Sequence, residues 1–127
     1  MGGKSRYAID IAVSTRFVPE QSDPGDGRFV FAYTIHLRND GEVAARLLNR
    51  HWVITDGNGK VTEVRGEGVV GEQPLLAPGE SFQYTSGAVL ETTVGTMHGE
   101  YEWLAEDGEQ FLAPVPRFAL AIPRTLH

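Results

Sequence analysis

Cysteine is absent from the 127 residues, which excludes disulfides and thiolate metal sites and is the usage expected of a reducing compartment. A cytoplasmic location is therefore expected. Long apolar runs are also missing, since none approaches the roughly 20 residues that a membrane-spanning helix needs. Positive charge is scarce: 11 Lys and Arg stand against 17 Asp and Glu, for a net charge of −6 and a sequence pI near 5.1. No basic field draws such a chain onto nucleic acid or an anionic membrane. The start, Met1–Arg6, lacks an apolar signal segment and places Arg6 where a myristoylation signal needs Ser or Thr. It reads as a short frayed terminus of a soluble protein. Helical periodicity is the last absence, because no window free of breakers repeats apolar residues at i, i+3, i+4 and i+7.

What is present is the composition of a globular chain: 41% hydrophobic, 22% charged, with 15 glycines scattered singly or in pairs as turn punctuation. The length suits a single domain over residues 1–127, able to bury roughly two-thirds of its unfolded surface. Period-2 alternation recurs along it. Tyr7, Ile9, Ile11 and Val13 share one face of a strand over Tyr7–Phe17. Phe29, Phe31, Tyr33, Ile35 and Leu37 share a face over Arg28–Asn39. Between these two strands, Pro19, Pro24, Gly25 and Gly27 predict a surface loop without regular structure. Ala44–Thr55 is apolar on both parities, which requires either two covered faces or a bulge. Asp56-Gly57-Asn58-Gly59 is a hairpin turn that returns the chain as Val61–Arg65. Pro74, Pro78 and Gly79 make Gln73–Glu80 a loop. Ser81–Leu90 is a strand with Gly87 as a bulge candidate. Gly95–Glu106 pairs through Asp107-Gly108 with Gln110–Ile122, bent at Pro114 and Pro116. About eight strands at this spacing predict an all-β, antiparallel sandwich.

Residues Gly66-Glu67-Gly68-Val69-Val70-Gly71-Glu72-Gln73-Pro74 spell G-x-G-x-x-G, the string of dinucleotide-phosphate loops. Such loops depend on a helix whose N–H groups receive the phosphate. Pro74 and Pro78 block a helix here, and Glu67 and Glu72 add negative charge. The glycines are thus expected to serve bulges and close backbone approach, with Gly66, Gly68, Gly71 and Arg65 kept as an alternative anion or nucleotide site. His36, His51, His98 and His127 lack metal-ligand spacing, and no metal or other cofactor is expected. Metal binding, built by tertiary approach around His51 or His98, is a second alternative. Ser86 lacks a nucleophile elbow, and no carboxylates are paired for acid–base work, so an enzyme is not expected.

Glu20-Gln21-Ser22-Asp23-Pro24, Phe31-Ala32-Tyr33-Thr34-Ile35, Arg50-His51-Trp52, the Gly66–Pro74 stretch, Tyr84-Thr85-Ser86-Gly87, Gly95-Thr96-Met97 with Gly99, and Pro116-Arg117-Phe118 follow one another as in the ApaG family. The chain resembles that family over roughly residues 7 to 123. The resemblance implies an immunoglobulin-like or fibronectin type III-like β-sandwich. It also implies an association with cobalt and magnesium homeostasis and, from fused forms in some F-box proteins and a polymerase-delta-interacting protein, a role as an interaction module. The functional expectation is a non-catalytic binding module for another protein, or weakly for a second copy of itself. Its candidate surface is Gln21, Ser22, Asp23, Arg50 and His51, in loops beside Trp52 and Tyr84, although alternation places both tryptophans in the core. The net negative charge favours a basic partner.

Overall fold

A computed structural model describes residues 5–123. The expected frayed start, Met1–Arg6, lies mostly outside that range. Within it, the Arg6 carbonyl accepts the Glu42 N–H and its guanidinium bonds Asp107. His127 also lies outside.

Eight strands follow in order: β1 (Ile9–Phe17), β2 (Phe29–Asn39), β3 (Ala45–Asp56), β4 (Val61–Glu67), β5 (Leu75–Leu76), β6 (Ser81–Leu90), β7 (Val94–Ala105) and β8 (Gln110–Ala121). They form a three-stranded sheet, β1-β2-β6, and a five-stranded sheet, β4-β3-β7-β8 with β5 beside β3. Every pairing is antiparallel. The expected β-sandwich is thus the architecture found.

The alternating residues meet between the sheets. Phe31, Ile35, Leu37, Leu47, Met97, Tyr101, Trp103 and Leu120 are fully buried. Trp52 joins them and packs edge-on against Tyr33, Tyr101 and Phe118 at 5.6–5.8 Å, a geometry that the aromatic quadrupole favours. Both tryptophans are core residues, as their strand positions imply.

The double-parity run in β3 is a bulge. Its register with β7 slips between Leu47 and Asn49, which turns Leu47 inward on one side and Trp52 inward on the other. β8 slips against β7 opposite Met97 and Gly99, where Pro116 lies. Both β8 prolines are on an edge strand, the place in a sheet that tolerates a missing N–H.

Four expectations are corrected. The 18–27 loop holds two short 3₁₀ turns, Pro19–Gln21 and Pro24–Asp26, because proline at the first position presets φ for such a turn. Gly87 makes no bulge; it pairs in unbroken register with Ala32. The 73–80 loop contains β5, whose backbone groups the bulged end of β3 receives. Strand β4 runs two residues further than Arg65, so Gly66 is a strand residue.

Candidate functional site

The G-x-G-x-x-G stretch is an edge partner of β3 with an excursion in its middle. Gly66 pairs with Arg50 at the end of β4, and Leu75 pairs with Arg46 in β5. Between those points the chain turns back on itself, with Val69 N–H donating to the Glu72 carbonyl at 2.8 Å and Glu72 N–H to the Val69 carbonyl at 2.9 Å. Gly68 N–H donates to the bulged Leu48 carbonyl at 2.8 Å. These amides are therefore engaged in the turn and the sheet, and a strand follows where a phosphate loop has its helix.

Each glycine has a separate steric reason. A Cβ on Gly66 would lie 2.8 Å from the Arg50 guanidinium, which passes over it. A Cβ on Gly68 would strike the Glu72 carbonyl. Gly71 has φ +81° at the turn tip, beside Val70 at φ +43°. Val69 plugs the excursion into the core with no exposure.

Two arginines of β3 hold the excursion. Arg50 donates to the Glu67 and Gly68 carbonyls at 3.0 Å, and Arg46 donates to the Gln73 carbonyl at 2.8 Å. Gln73 returns a bond to the Leu48 carbonyl at 2.9 Å. Arg65 instead faces solvent, 3.8 Å from Glu63.

The outer face of the five-stranded sheet carries an open concavity of about 450 Å³. Asn49 and His51 of β3, Arg65 and Glu67 of β4, Glu100 and Glu102 of β7, and Leu112 of β8 line it, with Arg50 and Gly66 at the β3–β4 seam. Antiparallel register explains the grouping: His51 stands opposite Arg65 and Glu100, and Asn49 opposite Glu67 and Glu102. His51 lies between two carboxylates, its Nε2 2.8 Å from Glu63 and its Nδ1 3.8 Å from Glu100. That hydrogen bond is the main reason the Glu63 carboxyl is held below its ordinary pKa, with Arg65 adding to it. Asn49 donates to Glu102 at 2.6 Å. Leu112 is 58% exposed at the rim.

Of the candidates from the sequence, Arg50, His51, Arg65 and Gly66 converge on this trough. Gly68 and Gly71 belong to the excursion beside it. Gln21, Ser22 and Asp23 are in the β1–β2 connection and do not line it; Ser22 there binds the Val18 carbonyl and the Val30 N–H. Arg50-His51-Trp52 and Tyr84-Thr85-Ser86 are strand segments rather than loops, and Trp52 and Tyr84 are buried. They cannot anchor a partner in this conformation. The carboxylates Glu100 and Glu102 and the rim residue Leu112 escaped sequence reasoning, because only the register across β3, β7 and β8 places them together. Among the described residues, no group of three or more His, Cys, Asp or Glu side chains is arranged to hold a metal ion. His98 shares the outer face with His51, opposite Val53, while His36 lies on the other sheet. No helix among the described residues is long and apolar enough to cross a membrane.

Comparison with known proteins gives a consistent result. The ApaG domain model matches residues 19–105. Protein ApaG of Azoarcus sp. (strain BH72) is 61% identical over the whole of both chains, and protein ApaG of Dechloromonas aromatica is 58% identical, also over the whole of both. The crystal structure of the ApaA protein of Bordetella pertussis superposes with a TM-score of 0.94 at 52% identity, covering 97% of this chain and 100% of that one. By these similarities over its whole length, the chain belongs to the ApaG domain family.

Proposed function

We propose that this chain is a non-catalytic, cytoplasmic binding module that docks a basic segment of another protein on the outer face of its five-stranded sheet. The observation that carries this reading is the charge of the trough. Glu67, Glu100 and Glu102 line it and Glu63 adjoins it, whereas Arg65 is its one solvent-directed guanidinium, since Arg50 is bonded to loop carbonyls. Leu112 supplies an exposed apolar contact at the rim. A lysine- or arginine-bearing segment with an apolar side chain over Leu112 complements both features, and complementary charge favours its encounter with a chain of net charge −6. On this reading, an effect on cobalt or magnesium homeostasis runs through the partner.

The test is photo-crosslinking in native lysate from a crosslinker placed at Leu112, with His36 on the opposite sheet as the control position. The expected result is one recurrent set of basic peptides captured from position 112, lost in a Glu100→Lys/Glu102→Lys variant and weakened by salt. Equal capture from both positions, or capture indifferent to the charge reversal, would overturn the proposal.

A further inference from the structure

Among the described residues the edge strands are β1 and β6 of one sheet and β4, β5 and β8 of the other, and all but β6 are guarded, β5 by its two-residue length. Edge strands expose unpaired N–H and C=O groups, and proteins blunt them with charge, proline, bulges or brevity. β8 has Pro114, Pro116 and a register slip. β1 carries Asp10 and Arg16 and packs beside β8. β4 is seven residues long with Glu63, Arg65 and Glu67.

β6 has none of these devices. Its ten residues, Ser81–Leu90, contain no charge and no proline. Its register with β2 runs unbroken from Ser81 to Leu90. Ser81, Gln83, Thr85, Gly87 and Val89 are exposed, Val89 by 52%, while Tyr84, Ala88 and Leu90 anchor the strand in the core. The edge is thus a preformed strand in continuous register that needs little ordering before it pairs.

We infer that β6 is a strand-addition site that takes an extended, uncharged, β-branched segment of a partner protein, with a basic residue where that segment passes Glu80. Strand addition draws its affinity from main-chain hydrogen bonds and its selectivity from alternate side chains. Thr85 and Val89 suit Thr, Val or Ile opposite them. Charge selects against a second copy of this chain as the occupant. Antiparallel self-pairing along β6 brings together two chains of net charge −6 each. Lys60 pairs with Glu91 at 2.6 Å, whereas among the described residues the Glu80 carboxylate has no such cation and accepts from the Ala77 N–H. The basic residue therefore belongs at the Glu80 end. The inference is independent of the trough, which lies on the other sheet.

A phage-displayed library of random decapeptides, panned against the full chain, tests it. Enriched peptides are expected to carry alternating β-branched residues beside a terminal lysine or arginine. In the labelled protein they should give amide shifts and cross-strand contacts confined to β6. A Gln83→Lys/Val89→Lys variant, altered only at exposed positions, should keep its Tm and bind these peptides at least tenfold more weakly. Glu100→Lys/Glu102→Lys should bind them unchanged, which separates this site from the trough. No enrichment, shifts that map to the trough, or binding indifferent to the β6 lysines would overturn the proposal. So would a concentration-dependent dimer abolished by the same two lysines, which would make a second copy the occupant.

Discussion

At the scale of single residues, the excursion after β4 records one unfavourable choice. A two-residue reversal with both φ values positive is the turn that Asn-Gly fills without strain, yet Val70 holds φ +43° here with a β-branched side chain that is 54% exposed. Such backbone strain costs about 1–3 kcal/mol. Val70→Asn removes it and creates Asn-Gly with Gly71, so stability should rise by about 1 kcal/mol and Tm by roughly 3–5 °C. A calorimetric scan that shows no gain would refute the strain. Gly66 gives the opposite sign. Gly66→Ala pushes a methyl group against the flexible end of Arg50, and breaking the two bonds to the Glu67 and Gly68 carbonyls should cost about 1–2 kcal/mol. Gly99→Ala should cost more, beyond about 3 kcal/mol, because its Cβ strikes the His51 carbonyl, which is backbone and has nowhere to move. Urea unfolding of the two variants checks the ranking.

At the scale of elements, the segment before β1 is held to the β7–β8 turn by a single carboxylate. Tyr7 donates to Asp107 at 2.6 Å, Arg6 at 2.9 Å, and the Tyr7 ring stacks on Phe111 at 5.2 Å. The Tyr7 hydrogen bond, then the Glu109 N–H and Arg6, lower the Asp107 carboxyl from 3.8 to about 2. A carboxylate depressed by folding stabilises the native state above its unfolded pKa and loses that contribution as pH falls through the folded value. Wild type and Asp107→Asn should therefore differ in Tm at neutral pH and converge as pH falls from 3.8 towards about 2. A constant gap would show that the ionised form contributes nothing. This fastening was not legible in the sequence, since Tyr7 and Asp107 are a hundred positions apart. The strands were legible, because alternation is local: β2 and β6 begin and end within a residue of the expected Arg28–Asn39 and Ser81–Leu90. The trough was half legible. Arg50, His51, Arg65 and Gly66 stood out by residue type, while Glu100, Glu102 and Leu112 did not, until the register of β7 and β8 brought them alongside.

At the scale of the whole molecule, the two sheets are joined through their core by a polar contact as well as by packing. Tyr84 of β6 and Tyr101 of β7 hydrogen-bond hydroxyl to hydroxyl, both buried. Tyr33 stands near them, opposite Ser86 of β6. A buried hydroxyl left without its partner loses about 1–3 kcal/mol, whereas removing both partners is nearly neutral. Tyr84→Phe and Tyr101→Phe should each destabilise by that amount, and the double variant should recover much of the loss, so the cycle will be strongly non-additive. Burial raises the pKa of all three phenols above the ordinary 10.0. The folded state then keeps protons that the unfolded chain releases near that value, so stability is intact below pH 10.0 and falls as pH rises above it. Tyrosinate absorbance from these three residues should appear together with loss of the folded signal, while Tyr7, outside the core, titrates separately. In the double variant, the alkaline limb should shift to higher pH, with Tyr33 the one buried phenol of the three left to drive it. An unchanged limb would place the alkaline weakness elsewhere than in the contact between the sheets.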